Sequence, residues 1–196
     1  MRRLGDLAGA AAGLLVFAPF MAVISVAVWL DDGGPIFFRQ TRIGLRRRPF
    51  TILKFRTMRD GEVTRVGRVL RATGLDEIAQ FFNIVRGEMS AVGPRPLTDA
   101  DVQRLGWATE EFDFRWDAKP GLTGLAQIAG THAAAESLAL DREYLARRTV
   151  WLDLWLITLS FAVNAFGKTR VRAFMQRRRA SRRDAENAET RSRPVA

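Results

Sequence analysis

Residues 7–30 form a run of 24 consecutive uncharged residues, and this run limits the possible folds more than any other feature of the chain. A helix needs roughly 20 apolar residues to cross the hydrocarbon core of a membrane, so the run is long enough to do so. It is too long for the apolar region of a secretory signal and has no cleavage site, which predicts that it is retained. Pro19 lies near its middle, where it removes a backbone hydrogen bond, so we expect a kink.

The charges that flank this run favour a hairpin that returns to the side from which it entered. Arg2 and Arg3 precede it. Five arginines follow it within about 20 residues, the distance over which the positive-inside rule applies: Arg39, Arg42, Arg46, Arg47 and Arg48. Both ends are therefore expected in the cytoplasm, and residues 1–32 are predicted to form a re-entrant helix-break-helix insert, with Arg3 and Asp6 paired near the membrane surface. The alternative is a single-pass helix that tolerates its proline.

Most of the net charge of +10 lies in residues 167–196, which hold ten Lys/Arg and three Asp/Glu. This tail has basic clusters at 177–179 and 182–183 and no apolar periodicity, so we expect it to be disordered. Basic segments beside a membrane bind anionic lipid at about 1 kcal/mol per charge. Anionic lipid is therefore the predicted partner. Nucleic acid is not expected, because no aromatic residues lie between the clusters to stack on bases.

Two residue counts exclude whole classes of site. The chain has no cysteine, which excludes disulfides, thiolate nucleophiles and cysteine-based metal centres. It has one histidine, His132, which excludes histidine-rich metal sites and leaves little scope for a Ser-His-Asp triad. We interpret His132 as a solvated loop residue, because its neighbours are small and polar.

The remaining pattern predicts an α+β fold that is mainly helical. Short β-prone runs at residues 36–40 and 50–55 flank a turn that contains Gly44, which predicts a small β-hairpin. Helices are expected in four segments: 66–72, 76–86, 100–104 and 135–148.

Residues 149–166 are apolar and contain Trp151 and Trp155. They form either a core helix or an amphipathic helix at the membrane interface, where tryptophan is favoured. Residues 33–166 are thus predicted to form one cytoplasmic domain, with helices at the membrane interface, between the insert and the tail.

Residues 73–97 contain the strongest candidate for a chemical site. Asp76 and Glu77 are adjacent carboxylates at the start of an apolar helical run, and Pro94-Arg95-Pro96 follows. A carboxylate can attack phosphorus or hold Mg²⁺, and an arginine between two prolines offers a restrained fork to phosphate oxygens. The structural alternative is a capping box formed by Thr73 and Asp76. The two interpretations are compatible, because a helix N-terminus stabilises both an ionised aspartate and a nearby phosphate.

Five ordered motifs resemble those of the bacterial sugar transferase family, the monotopic phosphoglycosyl transferases. They are Arg2-Arg3-Leu4-Gly5-Asp6, Gly33-Gly34-Pro35-Ile36-Phe37-Phe38-Arg39-Gln40, Lys54-Phe55-Arg56-Thr57-Met58, residues 73–97 and Lys119-Pro120-Gly121-Leu122-Thr123-Gly124. Residues 73–97 are similar to the family pattern S-L-D-E-L-P-Q…N-V…G-x-M-S-x-V-G-P-R-P. Together the motifs cover roughly residues 2–152, and an ordered set is more specific than any single motif.

The resemblance implies an enzyme that transfers a sugar 1-phosphate from a UDP-sugar to undecaprenyl phosphate, the first membrane step of glycoconjugate assembly. It implies that Asp76 attacks the β-phosphate and releases UMP, leaving a sugar phosphate on the aspartate, and that Glu77 is the general base. Mg²⁺ is the implied cofactor, in contact with Asp76. The implied location is the bacterial inner membrane, with the catalytic domain on its cytoplasmic face.

The same motifs supply candidates for phosphate or nucleotide binding. Arg95, restrained by Pro94 and Pro96, is expected to bind a phosphoryl oxygen. Lys54 and Arg56 either contact phosphate or pair with surface acids. Lys119 is a further candidate, although the family usually has arginine at this position.

Other departures from the family pattern leave the sugar unassigned. They are Ala79, where proline is usual, Leu125, where tryptophan is common, and residues 129–131. Two rival functions stay open at this point. One is an inactive membrane scaffold that has lost activity through these departures, and the other is a membrane-tethered nucleic-acid binder that uses residues 167–196. The sequence does not indicate an oligomeric state.

Overall fold

The computed structural model of the chain describes residues 2–131 and 133–166. These residues form an α+β fold in which helices predominate and the sheets are small, as the sequence predicts. His132 and the basic tail at 167–196 lie outside the described residues, so both interpretations of them stay predictions.

Seven α-helices and six short strands make up the described part of the chain. The helices are α1 Arg2–Asp32, α2 Arg65–Thr73, α3 Phe81–Arg86, α4 Asp99–Arg104, α5 Leu125–Ala129, α6 Ala134–Arg147 and α7 Val150–Phe166, with 3₁₀ segments at Leu45–Arg47, Leu75–Gln80 and Glu110–Asp117. The strands are β1 Phe37–Ile43, β2 Pro49–Phe55, β3 Met58–Arg59, β4 Glu62–Val63, β5 Ser90–Val92 and β6 Gly121–Thr123. Three of the four predicted helices, 66–72, 100–104 and 135–148, are present with ends that differ by one residue or none. The predicted helix 76–86 is instead a 3₁₀ segment, Leu75–Gln80, followed by the shorter helix α3.

Each sheet consists of two strands. β1 and β2 form the predicted antiparallel hairpin, in which Phe37 lies opposite Phe55. β3 and β4 are antiparallel, whereas β5 and β6 are parallel and bring the segment after α3 beside the segment before α5. The parallel pair therefore joins residues 90–97 to residues 119–127, two of the regions in which the sequence motifs lie.

The start of α1 is bound to the rest of the protein by two charged side chains. The Arg3 guanidinium donates to the carbonyl oxygens of Ile84 and Val85, at 2.5 and 2.7 Å, where α3 ends. The Asp6 carboxylate accepts from the Ser90 hydroxyl at 2.9 Å. The sequence predicts that Arg3 and Asp6 pair with each other, but in the structure Arg3 binds the end of α3 and Asp6 binds β5 instead.

The end of α1 is bound to the same domain. Asp31 accepts a hydrogen bond from the backbone N–H of Val66 at 3.0 Å, which caps the start of α2. Asp32 forms an ion pair with Arg56, and the two side chains are only 7% and 14% exposed. Both ends of α1 are thus attached to one structural unit.

One face of α1 is buried between these ends and the other is exposed. Met21, Ile24 and Val28 are buried in a cluster with residues of β2 and α2. The exposed apolar side chains include Leu15, Val16, Phe20, Val23, Trp29 and Leu30. α1 is long and apolar enough to cross a membrane, and only 17% of its most apolar stretch is buried, which indicates membrane association rather than a soluble core.

The secondary structure of α1 continues through Pro19 without interruption. The predicted break is therefore not confirmed, and the re-entrant path stays a prediction.

Asn83 fixes α3 to the hairpin. Its side chain is fully buried, accepts from the backbone N–H of Leu53 at 3.0 Å and donates to the carbonyl oxygen of Thr51 at 2.7 Å. A buried amide with both groups satisfied is strongly oriented, since loss of either bond would leave an unpaired polar group. The helical segment that carries Asp76 and Glu77 is thereby held against β2.

Gly67 in α2 offers a test of how closely α2 packs on the segment after β2. Alanine in place of a helical glycine usually stabilises a helix by about 1 kcal/mol. At Gly67, however, a Cβ would overlap the backbone of Thr57, whose hydroxyl accepts from Arg71 Nε at 2.9 Å. We expect Gly67→Ala to destabilise the detergent-solubilised protein by about 1–3 kcal/mol, measured by thermal unfolding.

The matched control is Gly5→Ala in α1, where a Cβ would have no neighbour within 4 Å. Its thermal midpoint should stay unchanged or rise. A midpoint for Gly67→Ala at or above that of the unsubstituted protein would contradict the packing described here.

Candidate active site

Asp76 and Glu77 are positioned by a glycine that ends one helix and begins the next helical segment. Gly74 has φ 73°, a left-handed conformation that favours glycine, and it follows the last residue of α2. Asp76 and Glu77 then occupy the first turn of the 3₁₀ segment Leu75–Gln80. The two carboxylates are therefore neighbours on a short, tightly turned segment.

The predicted capping box is wrong. Thr73 lies at the end of α2, and its hydroxyl donates to the carbonyl oxygen of Val69 at 2.9 Å. The left-handed Gly74 separates Thr73 from the following segment, so the hydroxyl cannot cap it. Asp76 therefore takes no part in the capping box that the sequence alone allows.

Lys54 of β2 supplies the positive charge nearest to the acidic pair. Its ammonium group lies 2.6 Å from Glu77 Oε1, and the two side chains are 20% and 38% exposed. The sequence left open whether Lys54 contacts phosphate or pairs with an acid. The structure pairs it with an acid inside the candidate site.

Arg95 is exposed between two buried prolines, Pro94 and Pro96. Its carbonyl oxygen accepts from Arg115 Nη2 at 2.6 Å. Arg115 in turn forms an ion pair with Asp141 at 2.8 Å, and these two side chains are 2% and 3% exposed. The backbone of Arg95 is thus attached to a buried ion pair, while its guanidinium stays accessible.

Two cavities adjoin the acidic pair and share Arg95. The Asp76 cavity has a volume of about 280 Å³ and is lined by Arg71, Asp76, Glu77, Arg95, Thr123, Gln127 and Asn164, among others. The Glu77 cleft is narrower and is lined by Arg42, Lys54, Glu77, Arg95 and Gln127, among others. Carboxylates and guanidinium groups thus face the same small volume, an arrangement suited to a phosphate ester.

Burial raises the pKa of Asp76, and the neighbouring charge of Glu77 raises it further, while Lys54 and Arg71 oppose the shift. A carboxylate that is poorly solvated in its charged form has less hydration to lose when it forms a bond. Asp76 therefore has the environment of a reactive group, as perturbed carboxylates in clefts often do.

An apolar groove of about 250 Å³ meets the acidic pair from the side of the membrane helix. It lies between α1, α3 and α7 and is lined by Phe17, Phe81, Ile157 and Phe161, among others, with Glu77 at its polar end. Glu77, Leu122 and Thr123 line both this groove and the Asp76 cavity. A polar site and an apolar site are therefore continuous.

Residues 1–167 match the family described as bacterial sugar transferase. The chain belongs to this family. It is 40% identical over 168 residues to the UDP-glucose:undecaprenyl-phosphate glucose-1-phosphate transferase of Caulobacter vibrioides, covering 79% of this chain and 63% of that protein. An enzyme of the same name from Escherichia coli is 36% identical over 181 residues, covering 82% of this chain and 39% of that protein.

The exopolysaccharide production protein ExoY of Rhizobium meliloti is 34% identical over 187 residues, covering 80% of this chain and 81% of that protein. The chain thus spans less than two thirds of the two glucose-1-phosphate transferases and most of ExoY. The match to the bacterial sugar transferase family confirms the resemblance that the sequence motifs indicate.

Not every candidate from the family motifs reaches the site. Arg56 is paired with Asp32 at the end of α1. Lys119 lines neither the Asp76 cavity nor the Glu77 cleft, and a Cβ on Gly87 would lie 3.5 Å from its Nζ, which places it near the end of α3. Their positions give no support to a phosphate contact. Pro19, Arg3 and Asp6 lie in α1. Arg3 and Asp6 attach this helix to α3 and β5.

Other residues of this family member reach the site without having been singled out. The sequence motifs do not single out Arg71, which lines the Asp76 cavity, and Arg42 stands out only as one of the arginines that bear on membrane topology. No sequence motif indicates Gln127 or Asn164, because they reach the site on α5 and α7, from distant parts of the chain. Only the approach of these helices brings them together.

The described residues contain no group of three or more His, Cys, Asp or Glu side chains that could hold a metal. Mg²⁺, however, is commonly bound through one or two carboxylates together with substrate phosphates. Asp76, with Glu77 beside it, fits that mode, so a magnesium ion would need the phosphates of a bound substrate to complete its ligands.

The raised pKa of Asp76 leads to a stability prediction. In the folded state its carboxylate is harder to ionise than in the unfolded state, so ionisation costs stability above the raised pKa and the cost vanishes below the ordinary value of 3.8. We expect Asp76→Asn to raise the thermal midpoint by a few degrees at pH 7, with a difference that shrinks as the pH falls toward 4.

Thermal unfolding at several pH values measures this difference. Asp60→Asn is the matched control, because the Asp60 side chain is 92% exposed and its charge should contribute little at any pH. A lower midpoint for Asp76→Asn at pH 7 would mean that the charged carboxylate stabilises the fold, contrary to the sign argued here.

Proposed function

We propose that this chain is a phosphoglycosyl transferase that moves a sugar 1-phosphate from a UDP-sugar to undecaprenyl phosphate, with release of UMP. The observation that carries the proposal is the meeting of a desolvated carboxylate, Asp76, with Arg71 and Arg95 at the end of an apolar groove. The names of the glucose-1-phosphate transferases specify both substrates for those proteins. The geometry here suits a charged donor and a lipid acceptor that reach one site from two sides.

In the first half of the reaction, Asp76 attacks the β-phosphorus of the donor. The bond between that phosphorus and the bridging oxygen breaks, and its electron pair leaves with UMP. Arg95, fixed through its backbone to Arg115, neutralises charge on the phosphoryl oxygens. The sugar phosphate is left on Asp76 as an acyl phosphate, so one difficult displacement becomes two easier ones.

In the second half, an oxygen of the acceptor phosphate attacks the same phosphorus and the carboxylate of Asp76 leaves. Glu77 accepts the acceptor's proton when the phosphate arrives as a monoanion. Lys54, 2.6 Å from Glu77 Oε1, holds this carboxylate in place. The apolar groove ends at Glu77, so a prenyl chain in the groove would bring its phosphate to the acidic pair.

Mg²⁺ is part of the proposal, with Asp76 and the donor phosphates as its ligands. Its chemistry there would be to neutralise the diphosphate charge.

The attachment of α1 supports a monotopic arrangement in the bacterial inner membrane. Its first turn binds α3 and β5, and its last turn binds Arg56 and the start of α2. A helix with both ends attached to one domain has both ends on the side of that domain, here the cytoplasmic face. Trp151 of α7 is 82% exposed and would lie at the membrane interface, where tryptophan is favoured.

Cysteine labelling tests this topology, and the chain has no native cysteine to interfere. We expect both Gly5→Cys and Thr41→Cys to react with a membrane-impermeant maleimide only from the cytoplasmic side of vesicles of defined orientation. Labelling after detergent permeabilisation is the control for total reactivity. Labelling of the two positions from opposite sides would overturn the re-entrant arrangement and favour a single-pass helix.

Turnover tests the transfer itself. Detergent-solubilised protein with Mg²⁺, undecaprenyl phosphate and a panel of UDP-sugars should release UMP from one or a few of the sugars. Asp76→Asn should lower the rate at least about 1,000-fold, because loss of a nucleophile removes the covalent route. Asp60→Asn should leave the rate unchanged.

Two outcomes would contradict the proposal. No UMP release from any UDP-sugar by the unsubstituted protein would favour another nucleotide donor or an inactive scaffold. Full activity of Asp76→Asn would exclude Asp76 as the nucleophile.

A further inference from the structure

A third cavity, of about 500 Å³, extends from Arg95 toward α4 and α5. This Arg42 cavity is lined by Arg42, Arg95, Asp101, Arg104, Gln127 and Thr131, among others. Its volume lies within the range of small-molecule sites, roughly 300–1,000 Å³. Arg95 and Gln127 line the Arg42 cavity, the Glu77 cleft and the Asp76 cavity, so these three spaces meet at two side chains.

The charge around the Arg42 cavity favours an anion. Four arginines line it, Arg42, Arg95, Arg104 and Arg115, and Asp101 is the only carboxylate among the described residues that line it. Arg115 is already paired with Asp141, which leaves three guanidinium groups for the cavity. Asp101 is already engaged, since Arg104 donates to it at 2.9 Å and Arg42 lies 3.5 Å away. One carboxylate against three guanidinium groups leaves an excess of positive charge.

Two buried polar atoms at the boundary of this cavity have no hydrogen-bond partner within the described part of the chain. They are Arg42 Nε, a donor, and Gln127 Oε1, an acceptor. The other nitrogens of Arg42 are occupied, because Nη1 donates to the carbonyl oxygen of Pro96 at 3.3 Å and Nη2 to Gln40 Oε1 at 2.6 Å. Buried polar groups are nearly always paired, so an unpaired donor and acceptor beside a cavity indicate a ligand that offers both an oxygen and a hydroxyl or N–H group.

Arg42 and Asp76 line different spaces that meet at Arg95. Asp76 lines the Asp76 cavity but neither the Glu77 cleft nor the Arg42 cavity, whereas Arg42 lines the last two but not the first. In a phosphoryl transfer the attacking oxygen and the leaving oxygen lie roughly in line on opposite sides of phosphorus. A phosphoryl group at Arg95 that is attacked from Asp76 would therefore direct its leaving group toward Arg42.

We propose that the Arg42 cavity binds the nucleoside monophosphate half of the donor and that Arg42 binds its phosphate, which is the leaving group. This inference rests on the transfer proposed above. When Asp76 attacks the β-phosphorus, the electron pair of the broken bond goes to an oxygen of the α-phosphate, and Arg42 neutralises the charge that develops there. No proton is needed in this step, because the product leaves as an anion.

A comparison of two ligands tests the role of Arg42 without turnover. Isothermal titration would measure the affinity of UMP and of uridine, which lacks the phosphate, for the unsubstituted protein and for Arg42→Gln. We expect the unsubstituted protein to bind UMP about tenfold or more tightly than uridine, since a charge-assisted hydrogen bond to phosphate is worth at least that ratio. Arg42→Gln should bind the two ligands almost equally, with little change for uridine, and Arg42→Lys should fall between.

Arg147→Gln is the matched control for loss of one positive charge. Arg147 lies at the end of α6, its side chain is 60% exposed and its ion pair with Glu143 is a surface contact. The ratio of the UMP and uridine affinities should stay unchanged in this variant. If Arg42 only supported the fold, Arg42→Gln would weaken both ligands equally and keep the ratio, which would overturn the proposal.

A second variant covers the case in which Arg42→Gln does not fold. Gln127→Leu removes the unpaired acceptor and only one long hydrogen bond, 3.4 Å from Nε2 to the carbonyl oxygen of Gly121. We expect its affinity for UMP to fall several-fold while the thermal midpoint stays unchanged. An unchanged affinity would overturn the placement of the nucleotide in this cavity.

The two proposals fail in distinguishable ways. UMP release from a UDP-sugar combined with an unchanged affinity ratio in Arg42→Gln would overturn this inference and leave the transfer intact. The expected affinity pattern without any turnover would support the nucleotide site and overturn the proposed transfer. Failure of the unsubstituted protein to bind UMP would overturn the nucleotide site directly.

Discussion

The arrangement of the site depends on the attachment of α1 to the domain at both of its ends. Arg3 and Asp6 fix the first turn, and Asp31 and Asp32 fix the last. All four are charged residues near the two ends of an apolar helix, where an unpaired charge would be costly to place against lipid. Paired with the domain, they hold α1 against α3, and the groove that ends at Glu77 lies between these two helices and α7.

A second constraint comes from the buried ion pair of Arg115 and Asp141. Burial of two charges carries a desolvation penalty that their attraction does not always offset, so such a pair is weak evidence for stability as such. The position of this ion pair matters more than its energy, because the pair fixes the backbone of Arg95. Arg115 packs against the rings of Trp107 and Trp116 and donates to the carbonyl oxygen of Arg95. Loss of either charge would leave the other unpaired, at a cost of about 3–5 kcal/mol, and would release Arg95.

The sequence predicts those features that depend on local patterns. The apolar run, the hairpin and the helices follow from periodicity and turn residues, and Asp76, Glu77 and Arg95 stand out because their neighbours in the chain are informative. Features that depend on contacts between residues far apart in the chain do not follow from the sequence. Nothing local indicates that Arg56 pairs with Asp32 or that Gln127 reaches Arg95, and the capping box failed because Gly74 ends α2 between Thr73 and Asp76.

The relation of the three cavities and the groove bears on why a covalent intermediate suits this site. The Asp76 cavity, of about 280 Å³, adjoins the groove and meets the Arg42 cavity at Arg95 and Gln127. If the sugar phosphate is first placed on Asp76, the nucleotide can leave through the Arg42 cavity before the acceptor phosphate arrives from the groove. In the proposed second half, the acceptor phosphate attacks from the groove, which Glu77 lines and Arg42 does not. In the proposed reaction, a water-soluble product and a lipid substrate would then use different paths, and Asp76 would carry the sugar phosphate between them.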